Sequence, residues 1–122
     1  MKRYYRTAIL SLVFVFSIVA QSVEKPSEPV IFAEFGKIST KERTAKIKAF
    51  HEVLKVCDGR KGFIYNYGTS AAIKARKKAL MKDWLGCDAF NCVRNLWMDI
   101  QNGKATKTVL WIIPPGAENP TP

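Results

Sequence analysis

Twice in this chain a short apolar run closes on a glycine, and within a few residues a hydroxyl side chain able to open a helix follows. That recurrence restricts the fold more than any other feature. Val30-Ile31-Phe32-Ala33-Glu34-Phe35 is apolar nearly throughout and stops at Gly36, which is the composition of a mostly buried strand. Ser39-Thr40-Lys41-Glu42 then has the spacing of a capping box, in which the hydroxyl covers a free backbone N–H and the Glu reaches back to the cap. The helix it opens is predicted to run to about Cys57. Ile47, Phe50, Leu54 and Cys57 recur at steps of three and four, Val53 lies beside them, and Asp58-Gly59 ends the helix. The second unit begins with Gly62-Phe63-Ile64-Tyr65-Asn66-Tyr67-Gly68, a glycine-bracketed strand with Phe63, Tyr65 and Tyr67 on one face. Thr69 or Ser70 caps a second helix that runs to Leu85 and stops at Gly86, with Ile73, Leu80 and Trp84 as its buried stripe.

A loop over 87–94 leads to a third strand, 96–101, where Leu96, Met98 and Ile100 alternate with Trp97, Asp99 and Gln101. Asn102-Gly103 is a hairpin signal, because both positions tolerate φ > 0. The fourth strand, 108–113, is halted by Pro114-Pro115. The order β-α-β-α-β-β predicts parallel pairing through right-handed crossovers, with the last strand added antiparallel by the hairpin. The expected fold is α+β: a two-layer sandwich with two helices packed on one face of a four-stranded mixed sheet.

The sequence ahead of this unit reads as an export signal over 1–22. Lys2, Arg3 and Arg6 precede an apolar run from Ala8 to Ala20, and Ala20-Gln21-Ser22 places small residues at the cleavage site. The run is shorter than the roughly 20 residues a permanent span requires, so no transmembrane anchor is expected after cleavage. Residues 23–29 read as a linker, 30–115 as the folded domain, and 116–122 as a disordered, Pro-rich tail. The predicted destination is the periplasm or the extracellular space. Three of the 20 Lys and Arg leave with the signal while all 10 acidic residues stay, so 17 against 10 gives a mature charge of +7. Such a surplus favours anionic partners. Export and the absence of a stacking-aromatic motif argue against nucleic acid.

Three cysteines, Cys57, Cys87 and Cys92, allow one disulfide and leave one thiol. In a β-α-β-α-β chain every helix end and the start of the next strand fall at the same pole of the sheet, which gathers all three. The preferred pairing is Cys57–Cys92, then Cys57–Cys87, with a local Cys87–Cys92 loop third. The single His51 sits mid-helix, away from that pole, so neither a cysteine–histidine enzyme nor a zinc site is expected, and no cofactor is implied. No phosphate-binding glycine loop and no G-x-S-x-G elbow is present. Glu34 and Asp99 read as surface partners of lysines, and the expectation is a non-catalytic protein. Trp97, sharing a strand face with Asp99 and Gln101, is a candidate for stacking on a sugar ring. On the second helix Lys74, Lys78 and Lys82 fall at i, i+4 and i+8 with Lys77 alongside, a basic stripe offset only by Asp83.

Element order, the passage Gly62 to Thr69 and the helix Ala75-Arg76-Lys77-Lys78-Ala79-Leu80-Met81-Lys82-Asp83-Trp84-Leu85 together resemble the OmpA-like domain. That domain is the C-terminal peptidoglycan-binding module of outer-membrane protein A and related envelope proteins. The resemblance covers 30–115, and the ending Thr108 to Ala117 is similar to a group of uncharacterised bacterial exported proteins that look like divergent members of this fold. In the family an Asp after the second strand and an Arg on the second helix grip the charged ends of diaminopimelate in the wall peptide. Here Ser70 stands at the Asp position. Counting back from Trp84-Leu85 puts Lys77 at the Arg position, with Arg76 adjacent, and a lysine is no substitute for a planar guanidinium. The resemblance implies a cell-envelope protein that binds peptidoglycan through a degenerate site at Ser70, Arg76 and Lys77. The alternative is a secreted cationic protein that binds anionic polymers or surfaces, such as glycan or lipopolysaccharide, without stereochemical choice.

Overall fold

The structure is a computed structural model that describes residues 28–89 and 91–122. The signal expected over 1–22, and the linker up to residue 27, lie outside the described residues. Six elements follow in the expected order: β1 (Val30–Phe35), α1 (Thr40–Leu54), β2 (Lys61–Gly68), α2 (Ser70–Leu85), β3 (Asn95–Gln101) and β4 (Lys107–Ile113). Both helices pack on one face of a four-stranded mixed sheet. Ser39 caps α1 by accepting the Glu42 N–H at 3.1 Å, and Thr69, not Ser70, caps α2 by accepting the Ala72 N–H at 3.2 Å. Between the layers Ile47, Phe50 and Leu54 of α1 and Leu80 of α2 meet Phe35, Ile64, Leu110 and Ile112 of the sheet. The helix α1 stops three residues before Cys57, which adopts a left-handed φ of 58° instead of continuing the apolar stripe.

Strand order departs from the hairpin expectation. The sheet runs β1-β4-β2-β3, with β4 antiparallel to both of its neighbours and β2 parallel to β3. Asn102-Gly103 therefore does not close a β3–β4 hairpin. The loop 102–106 instead carries the chain over the end of β2, where the Gly103 N–H donates to the Gly68 carbonyl at 3.3 Å. Gly68 has φ 146° and lies so near the Thr106 backbone that an added Cβ would sit 3.4 Å from Thr106 Cα. The physical reason for the insertion lies in β4 itself. Val109, Leu110, Ile112 and Ile113 are buried on both faces, and a strand apolar on both faces belongs in the interior of a sheet. β3, carrying Asp99 and Gln101, takes the edge.

The helices are also tied by charge. Arg43 of α1 grips Asp83 of α2 through Nε at 2.6 Å and Nη2 at 3.2 Å, and the Thr44 hydroxyl donates to the same carboxylate at 2.9 Å. Asp83 is buried and bonded to Arg43 and Thr44, and of the lysine stripe it feels the charge of Lys82 only as its least contribution. Burial pushes its carboxyl up, but the hydrogen bonds from Arg43 and Thr44 and the Arg43 charge outweigh that and hold it below the usual carboxylate range.

The tail also departs from expectation. Pro114, Pro115, Gly116 and Ala117 form a turn in which the Ala117 N–H donates to the Pro114 carbonyl at 3.2 Å, with Gly116 at φ 78°. Proline at the second position and a left-handed glycine at the third match a type II turn. The turn sends residues 117–122 back across the sheet face that the helices leave open, where Ala117 packs on a cluster of Phe63, Tyr65, Val109 and Ile113.

Candidate functional site

The two poles of the sheet hold different chemistry. At the pole where β2 and β3 begin, Cys57 and Cys92 form a disulfide with Cα atoms 5.4 Å apart, the pairing that topology favours. Cys87 stays free and half-buried, its thiol directed to the Asp83 carbonyl at 3.7 Å. His51 is closer to this pole than expected. It is buried, packs edge-on against Trp84 at 5.1 Å, and lines a small pocket with Lys48, Glu52 and Cys87. Burial pushes the Cys87 thiol up, which is the opposite of what a nucleophilic cysteine needs.

At the other pole a cleft of about 610 Å³ opens between the start of α2, the loop after β1 and the β3–β4 loop. Its floor is small: Ala72, Ala75 and Ala79 from α2 and Ala105 from the loop. Its polar groups are Arg76, Lys37 and Thr106. Arg76 reaches across to the sheet, where Nη2 donates to the Gly36 carbonyl at 2.6 Å and Nη1 to the Thr108 hydroxyl at 2.9 Å. The guanidinium also lies 5.2 Å from the centre of the Phe35 ring, a cation–π contact. Thr108 in turn donates to Asn66 Oδ1 at 2.7 Å, a cross-strand pair at the heart of the sheet, and Asn66 Nδ2 is buried without a partner. No carboxylate pairs with Arg76 among the described residues. Burial, then repulsion from Arg43, lowers its affinity for its proton. An arginine stays charged even so. The cleft thus presents a partly desolvated cation, held in place by two neutral acceptors, with donor capacity to spare and a second cation, Lys37, at its rim.

The residues expected at the site separate. Ser70 and Lys77 line a different, smaller pocket of about 210 Å³ with Lys74, Asp99 and Gln101. Lys77 is already neutralised there by Asp99 at 3.0 Å. Arg76 and Lys77 are one helical residue apart, so their side chains diverge by about 100°. Only Arg76 enters the cleft. Lys74, Lys78 and Lys82 are all exposed. Glu34 pairs with Lys107 at 3.2 Å, the surface role expected of strand carboxylates. Trp97 is half-buried against the helix-side core, which removes it as a stacking platform. Sequence reasoning missed Asn66 and Thr108 as supports of Arg76. Their signal was the one Asn or Thr in each of two strands that, past the Lys that opens each, are otherwise apolar, aromatic or glycine. Among the described residues no group of three or more His, Cys, Asp or Glu side chains gathers to hold a metal, and no helix is long and apolar enough to cross a membrane. No protein-family model, curated protein or solved structure matches the chain.

Proposed function

We propose that this is an exported, non-catalytic cell-envelope protein that holds a carboxylate of a wall polymer, peptidoglycan foremost, on the Arg76 guanidinium. The observation that carries the proposal is the unneutralised Arg76 in an alanine-floored cleft. A fixed planar guanidinium with free N–H groups suits a carboxylate, and the hydrogen bonds it makes are charge-assisted. Supporting it is the resemblance to the OmpA-like domain, with the arginine role moved from Lys77 to Arg76. Ser70 brings no carboxylate and lies in the other pocket. The cleft therefore suits an anionic group and offers no counter-charge for an ammonium, so it selects less sharply for diaminopimelate than a site with an acid–base pair.

The mature chain is expected to sediment with purified sacculi. Arg76→Ala should weaken that association by at least about tenfold, the worth of a lost charge-assisted bond, while Lys77→Ala leaves it within about twofold. Association indifferent to Arg76→Ala would discard the cleft. A second reading rests on the exposed Lys74, Lys78 and Lys82. Retention on heparin-like or anionic lipid surfaces that falls steeply with salt and ignores Arg76→Ala would favour a cationic surface binder instead.

A further inference from the structure

The sheet face turned away from the helices carries a row of aromatic side chains, and the chain's own C-terminal segment lies on it. Phe63, Tyr65 and Tyr67 stand at alternate positions of β2, with successive ring centres 4.6 Å and 6.3 Å apart. Val109, Trp111 and Ile113 of β4 flank them. After the turn, Ala117 packs on this cluster. Three residues later the Pro120 carbonyl accepts the Tyr65 hydroxyl. The intervening Glu118 and Asn119, and Thr121 and Pro122 beyond, are exposed.

Residues 118–122 fall in no helix or strand and no backbone hydrogen bond joins them to one another, so like a polyproline II chain they leave their carbonyls to a partner. Aromatic-lined grooves read proline-rich segments in this conformation. The face also holds a second donor. Trp111 Nε1 is buried with no acceptor, whereas a buried indole N–H usually finds one. The tail supplies one carbonyl to a face that has two donors.

We infer that this aromatic face is a binding site for a proline-rich, extended segment of a partner protein, and that residues 117–122 occupy it in cis as a displaceable strap. Tyr65 and Trp111 are the two donors to the incoming backbone. The site is on the opposite side of the sheet from Arg76 and stands or falls independently of the wall-binding proposal.

The test uses the full chain and a synthetic peptide with the sequence of residues 114–122, followed through the Trp111 indole resonance by NMR. A tethered tail competes at an effective concentration in roughly the millimolar range, so wild type should bind the free peptide weakly. Ala117→Asp places a charge against the aromatic cluster and releases the strap. That variant should bind the peptide at least about tenfold tighter than wild type. Adding Tyr65→Phe should weaken it by about fivefold, the worth of one hydrogen bond. A peptide with glycine in place of Pro120 and Pro122 should bind the Ala117→Asp chain markedly less well. Equal binding by wild type and variant, indifference to the prolines, or a tail-exchanged dimer in place of peptide capture would each overturn the inference. Should Ala117→Asp lose its fold, side-chain shifts of the wild-type chain decide. Excess peptide should move the Ala117 methyl resonance away from its ring-shifted position on the aromatic cluster while the amides of β2 and β4 stay protected, and an unmoved resonance would refute the strap.

Discussion

The two poles of the sheet differ in how they deal with their reactive groups. One is closed: Cys57 and Cys92 are joined, Cys87 is half-buried with burial pushing its thiol up, and His51 is packed against Trp84. The other leaves Arg76 charged, anchored and without a carboxylate among the described residues, at the mouth of a cleft. The disulfide lies at the first pole and the buried ion pair along the helix–helix seam, while the second pole keeps a cation that no carboxylate among the described residues neutralises. Groups that stabilise should therefore be separable from groups that bind.

The largest expected effect belongs to the closed pole. Replacing Cys57 and Cys92 by Ser releases a loop with a sequence separation of 35 residues and should lower unfolding free energy by roughly 3–4 kcal/mol. Chemical denaturation measures this, and sacculus binding of the remaining folded protein should be unaltered. Loss of binding in step with the disulfide would show that the poles are coupled.

Next comes the seam between the helices. Asp83→Asn leaves Arg43 without its counter-charge and should cost about 3 kcal/mol. The sign with pH follows from the lowered Asp83 carboxyl. Its stabilisation is fully present above the unfolded value of about 3.9 and disappears as pH falls through the lower folded value. Stability measured from pH 6 down to 2 should fall more steeply in wild type than in Asp83→Asn, and parallel curves would remove the ion pair from the account.

How much of this was visible in the sequence depends on the range of the interaction. Caps at Ser39 and Thr69 and the helical stripes are local, and reading them gave the two helices and the layer they cover. The disulfide was legible because connectivity alone brings helix ends and strand starts together. Asn102-Gly103 misled because a local turn preference competes with a longer-range demand, the burial of both faces of β4. Ser70, Arg76 and Lys77 read as one group, but on a helix one residue changes the direction a side chain faces, and Arg76 parts from the other two. Only the buried Leu80 and the acceptors Gly36 and Thr108 show that Arg76 is the residue facing the sheet. The tail read as disordered from its polar, Pro-rich composition, yet Pro114 and Pro115 just ahead of it build the turn that folds it back.

Smaller effects sharpen the contrast. Arg76→Ala removes two hydrogen bonds to neutral acceptors and should cost only about 1–2 kcal/mol of stability while abolishing most wall binding. A calorimetric melt beside a sacculus assay separates the two. Tyr65→Phe, on the far face, should cost about 1 kcal/mol and leave wall binding untouched.

The most direct measurement is an NMR titration of the full chain with a soluble, diaminopimelate-bearing wall fragment, observed at the Arg76 Nε–H. The predicted result is a saturable shift of that resonance with the same affinity in Lys77→Ala, while the backbone amides of Gly36 and Thr106 that shift alongside it in wild type stay still in Arg76→Lys. A titration that moves Lys74, Lys78 and Lys82 while the Arg76 resonance stays still would contradict the account.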